Sequence, residues 1–197
     1  MRALPSNEIF RKILHLVSCV IPLSYLWFIQ EKDTMVLFVG MLSIFAIFIE
    51  YLRNKFKFID GYFKALFNTM LRQEESRGKI TGATWMLFGD TITIFMFPKE
   101  IAVPALIFLS IGDTFAAIIG KLYPYIKIKD KTLTGTIAGI ITSIIAGLYV
   151  NQVLLPEIII LGAIIAMVVE LLPISVNDNL TIPVVSGSVM MIGKVLI

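Results

Sequence analysis

The hydrophobic residues of this chain occur in long blocks rather than in stripes that repeat every 3.6 residues. Because a helix that crosses the hydrocarbon core of a bilayer needs ~20 mostly apolar residues, such blocks predict membrane-spanning helices. The candidate spans are residues 9–30, 34–52, 81–97, 101–121, 135–153, 157–175 and 181–197. The last block is the weakest candidate, because it is short and contains Lys194. The predicted fold class is therefore all-α: a polytopic membrane helix bundle of about seven transmembrane helices, in one domain over residues 1–197.

The composition agrees with a membrane protein. The chain has 197 residues, of which 57% are hydrophobic and 16% charged, and its mean hydropathy is +0.88. Soluble domains are about half apolar and about a quarter charged. The single cysteine, Cys19, lies in the first block and excludes an intrachain disulfide. The net charge of +3 fits basic loops beside anionic lipid. It does not indicate nucleic-acid binding, because no basic patch alternates with aromatic residues in a soluble domain.

The distribution of basic residues predicts how the chain is oriented. If the N-terminus is cytoplasmic, only Lys32, Lys99 and Lys194 of the 17 lysines and arginines fall in outer segments. This bias favours a cytoplasmic N-terminus. No small-residue cleavage site follows the first block, so we interpret it as a span rather than a signal peptide. We expect an integral protein of a prokaryotic cytoplasmic membrane, with its active site facing the cytoplasm.

The cytoplasmic segment at about 53–80 is the only sizeable stretch outside the blocks. Phe63, Leu66 and Phe67 share one helical face, and lysines and arginines lie between the apolar residues. This pattern is typical of an amphipathic helix at the membrane interface. Such a helix would lie at the depth of a lipid head group, although many membrane proteins have one without a catalytic role.

Asp113 interrupts the block 101–121, in the sequence SIGDTFAAIIGK. It lies about 12 Å along the helix from Lys121, too deep for its short side chain to reach water. Intramembrane carboxylates usually face a cavity and have a function. The residues that share its helical face are all small: Ser110, Ala116, Ala117 and Gly120. We therefore interpret Asp113 as functional, with a packed and hydrogen-bonded structural aspartate as the alternative.

The loop after this block carries a candidate phosphate site. Its basic and small residues are Lys121, Lys127, Lys129, Lys131, Thr132, Gly135, Thr136 and Gly139. Lysines, hydroxyls and glycine amides at the start of a helix suit phosphate binding. Taken alone, the lysines fit the positive-inside bias and the GxxxG of Gly135 and Gly139 fits helix packing.

Acidic residues near the C-terminus are candidate partners of Asp113. Glu170 ends an otherwise apolar block, and Asn177, Asp178 and Asn179 occupy the predicted turn that follows. A second acid near Asp113 would favour an Mg²⁺ site, because hard cations take carboxylate and phosphate oxygens.

Two other blocks contain ionisable residues. One face of the first block carries Glu8, Arg11, Lys12 and His15, at i, i+3, i+4 and i+7. His15 is suited to contacting phosphate or acting as an acid or base, with a structural role as the alternative. Asp90 lies roughly 15 Å inside its block, as a further site carboxylate or a helix-bonding residue.

These motifs together resemble the polyprenol and diacylglycerol kinase family, which includes dolichol kinase, phytol kinase and CTP-dependent diacylglycerol kinase. The matching elements, in order, are Glu8-x-x-Arg11-Lys12-x-x-His15; Arg77 with ITGAT at 80–84; Gly112-Asp113-Thr114 through Gly120-Lys121; Lys131-Thr132-Leu133-x-Gly135-Thr136 through Gly139; and Glu170 with DNLTIP at 178–183. The alternative is phosphatidate cytidylyltransferase (CDP-diacylglycerol synthase), which is similar in the middle motifs only. Its C-terminal Pro-Gly-His-Gly-Gly stretch has no counterpart here, since no histidine follows His15.

The resemblance implies CTP as phosphoryl donor, Mg²⁺ as cofactor, and a membrane lipid alcohol (diacylglycerol, phytol or a polyprenol such as dolichol) as acceptor. It implies Asp113, Glu170 and His15 as catalytic residues, and Asp113, Asp178 and Glu170 as metal ligands. The implied nucleotide- and phosphate-binding residues are Arg11, Lys12, Arg77, Lys121, Lys131, Thr132, Gly135, Thr136 and Asn179. A small ion-coupled transporter is a further alternative, although no duplicated halves appear. The sequence leaves open which alcohol is used and whether the protein is a homodimer.

Overall fold

The structure is a computed structural model that describes the backbone of residues 6–196 and the side chains of residues 8–196. Arg2 and Ile197, which enter the predictions above, lie outside these ranges. The helices are α1 Ser6–Val17, α2 Val20–Trp27, α3 Lys32–Lys55, α4 Lys57–Phe67, α5 Gln73–Ser76, α6 Gly82–Met96, α7 Lys99–Ile107, α8 Asp113–Leu122, α9 Leu133–Val150, α10 Pro156–Leu171 and α11 Asp178–Leu196. A π-helical turn, Phe108–Gly112, joins α7 to α8, and two short strands, β1 Lys127–Ile128 and β2 Lys131–Thr132, precede α9.

Within the described residues, five segments are long and apolar enough to cross a membrane. They are Glu8–Trp27, Lys32–Lys55, Lys99–Leu122, Leu133–Val150 and Asp178–Leu196. Helices α6 and α10 pack in the same bundle, but they have only 15 and 16 residues. This is below the usual range of roughly 17–25 residues for a spanning helix. An all-α membrane bundle therefore fits the structure, and the full set of seven spans stays a prediction.

The first predicted span is not one continuous helix. Helix α1 ends at Val17 and α2 begins at Val20. The hydroxyl of Ser18 donates to the carbonyl oxygen of His15 at 2.6 Å, a bond that competes with regular helix geometry. Pro22 follows in the first turn of α2, where its missing N–H leaves no bond unmade. Residues 9–30 are therefore two helices with a break at 18–19.

The segment Lys99–Leu122 forms the centre of the bundle, and every residue from 101 to 110 is buried. Its winding changes at the π-helical turn, directly before Asp113. The hydroxyl of Thr114 donates to the carbonyl oxygen of Ser110 at 2.7 Å, which satisfies an acceptor within this turn. Pi-helical turns occur often at functional sites. Asp113 is the first residue of α8.

The glycines of the GxxxG motif bring α9 against α8. A Cβ on Gly135 would lie 2.4 Å from the carbonyl oxygen of Ala116, and one on Gly139 would lie 3.0 Å from that of Gly112. No larger residue fits at the first of these contacts without a shift of the backbone. The motif therefore acts in helix packing, which was the alternative to a phosphate site.

Polar contacts show which helix ends lie together. The Asn179 amide donates to the Gly82 carbonyl at 2.7 Å, which joins the starts of α11 and α6. At the other end of the bundle, Lys194 and Glu100 form an ion pair of 2.7 Å between the end of α11 and the start of α7. The helix ends thus alternate between two sides, as a membrane bundle requires.

Three local features differ from the sequence predictions. The segment 53–80 contains an 11-residue helix, α4, over the residues where the amphipathic helix is predicted, and a four-residue helix, α5, that is not predicted. The strands β1 and β2 form an unpredicted hairpin whose two-residue turn places Lys129 at φ 54°. Asp178 and Asn179 belong to the first turn of α11 instead of a loop. The Asn177 side chain accepts from the Asn179 amide at 3.0 Å, so Asn177 caps this helix.

Candidate active site

The carboxylate of Asp113 is held between two helices that are remote in sequence. The Lys12 ammonium lies 2.7 Å from Asp113 Oδ2 and also donates to the Asp113 carbonyl oxygen at 3.3 Å. The Lys12 side chain is only 8% exposed and that of Asp113 14%. A buried charge is costly without a partner, so this pair explains how the carboxylate is accommodated within the bundle.

His15 lies on the same side of Asp113, one helical turn from Lys12. Its Nδ1 is 3.5 Å from Asp113 Oδ2. This nitrogen is buried and has no hydrogen-bond partner among the described residues. Lys12 and His15 therefore lie on one face of α1, as predicted, and both point at the Asp113 carboxylate. The Ser18 and Ser110 hydroxyls, 2.8 Å apart, fix α1 against the π-helical turn beside this site.

A second charged cluster lies around Lys131, which β2 positions just before α9. Its ammonium is 2.8 Å from Asp178 Oδ2 and 3.5 Å from Glu170 Oε1. It also donates to the Glu170 carbonyl oxygen, at the end of α10. Two of the predicted site acids, from the end of α10 and the start of α11, thus share one lysine.

The two clusters are close enough to interact. Burial by itself lowers the pKa of the Lys131 ammonium, but the negative charges of Glu170 and Asp178 outweigh it and hold this pKa above its ordinary value. Asp113 acts on Lys131 in the same direction. Glu170 and Asp178 therefore contact Lys131 directly, and Asp113 lies within electrostatic range of it.

The acids fit a divalent cation by their chemistry. Carboxylate oxygens are the ligands that Mg²⁺ takes, and those of Glu170 and Asp178 already share one positive charge, the Lys131 ammonium. Among the described residues, no three His, Cys, Asp or Glu side chains are placed to hold a metal ion together. The assignment of Asp113, Asp178 and Glu170 as metal ligands stays a prediction.

The predicted phosphate-binding groups of the α9 start are occupied by local hydrogen bonds. Thr132 is the N-cap of α9, and its hydroxyl accepts from the Gly135 amide at 3.2 Å. The Thr136 hydroxyl donates to the Thr132 carbonyl oxygen at 3.2 Å. These residues shape the start of the helix, which leaves Lys131 as the cation that this segment directs into the site.

The remaining predicted residues lie at different distances from the site. Lys121 forms an ion pair of 2.6 Å with Glu8, and Arg11 lies 3.9 Å from the same carboxylate. Both border the Asp113 cluster. Asn179 joins α11 to α6, as described above. Arg77 is exposed in the turn after α5, and the described contacts do not bring it to Asp113.

Sequence reasoning missed a buried cluster at the start of α6. The Glu50 carboxylate accepts from the Thr81 amide at 2.8 Å, from both the Thr81 and Thr84 hydroxyls, and from Arg53 Nε at 2.6 Å. Arg53 also donates to the Lys79 carbonyl oxygen at 2.6 Å. Glu50 itself could have indicated this cluster from the sequence. Like Glu170, it is an acid near the end of an apolar block. This cluster fixes the loop before α6 and satisfies the helix start.

Two openings border the charged clusters. An apolar groove of about 250 Å³ lies between α1 and α8, and Lys12 forms part of its wall. A polar pocket of about 500 Å³ lies at the loops before α6 and α11, with Arg72, Lys79, Trp85 and Asn177 in its lining. The site is thus bordered by one apolar and one polar opening.

The fold and site define a membrane helix bundle with clustered acids and lysines at one end. No family model matches the chain, and no solved structure matches it. The chain is 27% identical over 181 residues to an uncharacterized protein of Rickettsia prowazekii. The aligned region covers 88% of each protein.

The chain is also similar to proteins named CTP-dependent diacylglycerol kinase 1 from three organisms, Saccharomyces cerevisiae, Schizosaccharomyces pombe and Eremothecium gossypii. The identity is 27% over 209 residues with that of Saccharomyces cerevisiae, covering 92% of this chain and 71% of the relative. It is 25% over 145 residues with that of Eremothecium gossypii, covering 60% of this chain and 46% of the relative, so the match spans about half of that protein. These similarities support a distant relationship to lipid kinases.

Proposed function

We propose that this protein is a CTP-dependent kinase that transfers the γ-phosphate of CTP to the hydroxyl of a membrane lipid alcohol, with diacylglycerol as the leading candidate. The observation that carries the proposal is the pair of charged clusters, Lys12 with Asp113 and Lys131 with Glu170 and Asp178, which lie within electrostatic range of each other. The relatives' names support CTP as donor and diacylglycerol as acceptor.

In the proposed reaction, the lipid oxygen forms a bond to the γ-phosphorus while the bond from that phosphorus to the β,γ-bridging oxygen breaks. CDP leaves, and the hydroxyl proton passes to a carboxylate, which we assign to Glu170. Phosphoryl transfer depends on positioning and on neutralising charge more than on covalent chemistry. The buried Lys12 and the partly exposed Lys131 are the cations of this site that would neutralise the phosphates.

Mg²⁺ would be held by Asp113 with Asp178 or Glu170, and would supply positive charge to the nucleotide phosphates. The nucleotide would approach through the polar pocket beside Arg72 and Asn177, from the cytoplasm. The basic loops on this side of the chain support that orientation.

The position of a radiolabel in the product tests the reaction type. Protein in diacylglycerol vesicles should move label from γ-³²P-CTP, but not from α-³²P-CTP, into the lipid. EDTA should stop the transfer. A cytidylyltransferase would instead need phosphatidate, place the α-label in the lipid and release pyrophosphate. Transfer of no label to diacylglycerol, phytol or polyprenol would overturn the proposal.

A matched pair of variants tests the site. Asp113→Asn should lower kcat on the order of 10³-fold, because it removes a charge that acts on the transferring group. Asp130→Asn changes the same side chain in the exposed hairpin turn and should retain wild-type kcat. Equal rates for the two variants would contradict the role of Asp113.

Thermal unfolding separates an enzyme from an ion-coupled transporter. CTP with Mg²⁺ should raise the melting temperature, because a ligand that binds only the folded state stabilises it. A shift caused by Na⁺ and absent with CTP over a wide range would favour a transporter.

A further inference from the structure

The groove between α1 and α8 has an apolar wall and a charged inner end. Ile13 and Leu16 of α1 face Ala117 and Ile118 of α8 across it. Lys12 also lines the groove, and its ammonium lies 2.7 Å from Asp113 Oδ2. Because the aliphatic stem of a lysine is apolar, Lys12 continues the apolar wall up to the charged site. The groove therefore ends one side chain away from the proposed catalytic carboxylate.

The sequence explains why this space stays open. Ala117 presents only a methyl group at the point where α1 passes α8. Small residues here also allow α8 to pack closely on α9 from its other side. At the end of the groove, Glu8 and Lys121 form an ion pair of 2.6 Å between the two helices. This pair marks the polar boundary of the groove.

The exposed wall of the groove suits hydrocarbon better than water. Both of its helices belong to segments long and apolar enough to span a membrane. Ile13 and Leu16 remain 48% and 40% exposed, which is the normal condition of a lipid-facing surface. An occupant must therefore be apolar along most of its length and polar at the Lys12 end.

We propose that this groove binds one acyl chain of diacylglycerol and thereby brings the lipid hydroxyl to the Asp113 site from within the bilayer. The polarity of the groove matches an amphiphile: its walls suit an alkyl chain, and its inner end carries the Lys12 ammonium. This inference rests on the proposed kinase function for the identity of the lipid. It adds the place where the lipid binds and the residues that line that place.

Photolabelling tests the groove without relying on turnover. A diacylglycerol with a diazirine in its acyl chain, incorporated in vesicles with the full chain, should label peptides that contain residues 9–16 or 113–121. Ile13→Trp fills the groove and should lower this labelling about tenfold. Ile145→Trp is the matched control, since Ile145 is a 65% exposed isoleucine on the lipid-facing side of α9. It should label like the wild type.

Kinetics then separate binding of the lipid from chemistry. Ile13→Trp should raise KM for diacylglycerol about tenfold while kcat and KM for CTP change little, the pattern of lost substrate binding. Leu16→Trp, from the other end of the same wall, is a second variant in case the first unfolds. Retained thermal stability shows that each variant is folded.

The outcomes distinguish the two proposals. Labelling outside the groove, or equal labelling of Ile13→Trp and Ile145→Trp, would overturn the groove assignment even where the kinase reaction is observed. Groove labelling by a polyprenol probe and not by diacylglycerol would overturn the choice of lipid. Specific groove labelling without any phosphoryl transfer would leave the binding site standing and refute the kinase.

Discussion

Removing the Lys12–Asp113 pair one partner at a time tests the energetic basis of the site. We consider Lys12→Met, Asp113→Asn and the double variant. Each single change leaves one charged group buried without its main partner, because the two side chains are only 8% and 14% exposed. The double change removes both charges together and replaces them with groups of similar size.

The expected magnitude follows from the geometry. At 2.7 Å and an effective dielectric constant of about 20, two unit charges attract by about 6 kcal/mol, before the cost of desolvation is subtracted. Breaking a buried pair by removing one partner typically costs about 3–5 kcal/mol, whereas replacing both partners is often close to neutral. We therefore expect a coupling energy on the order of 4 kcal/mol from the double-mutant cycle.

The chain supplies its own control. Lys194 and Glu100 also lie 2.7 Å apart and join remote helices, but their side chains are 42% and 24% exposed. The same cycle on this pair should give roughly 0.2–1 kcal/mol, as for exposed ion pairs. Both cycles can be measured by equilibrium unfolding with SDS in mixed micelles, followed by tryptophan fluorescence. Equal coupling energies for the two pairs would refute the argument that burial strengthens the Lys12–Asp113 interaction.

Three further changes probe packing and backbone. Gly135→Ala should lower the unfolding free energy by about 1–3 kcal/mol, because its Cβ clashes with α8. Gly61→Ala is the control and should not lower it, because its Cβ would have open space within 4 Å. Equal effects of the two variants in thermal unfolding would contradict this reasoning. Arg53→Lys cannot reach both of its present acceptors, so amide exchange at residues 79–84 should accelerate. Unchanged exchange would refute that role. Lys129→Gly should stabilise the folded protein by about 1 kcal/mol, because Lys129 has a left-handed backbone conformation, with φ 54°, that suits glycine. A lowered melting temperature would contradict this prediction.

The sequence predicted which residues meet because the membrane restricts where polar groups lie. Ionisable residues near the ends of apolar blocks must collect on the two sides of the membrane. Each block takes the chain across, so the order of the blocks assigns every residue to a side. Lys12, Asp113, Lys131 and Glu170 were grouped in this way, and the structure joins them in two ion pairs, Lys12–Asp113 and Lys131–Glu170. The spacing on α1 also predicted correctly that Lys12 and His15 share a face.

The sequence did not predict features that depend on contacts between remote segments. The break at Ser18 involves a hydroxyl bond to Ser110, 92 positions away. Glu50 looked like the end of a span, because its donors, Thr81 and Thr84, lie about thirty residues further on. The glycines at 135 and 139 alone favoured helix packing, but the residues that they pack against on α8 could not be read from the sequence.

The direction in which the Asp113 carboxylate points depends on how the π-helical turn before it is wound. Such a turn holds one residue more than an α-helical turn, and one residue corresponds to a rotation of about 100° around the helix axis. If Phe108–Gly112 were wound as an α-helix, Asp113 would rotate away from Lys12 while the upstream contacts of α7 stayed in place. Rewinding this turn at unchanged length would therefore separate Asp113 from Lys12, with no change to any charged residue. Deleting one residue of the turn would instead allow α-helical winding and keep the direction of Asp113.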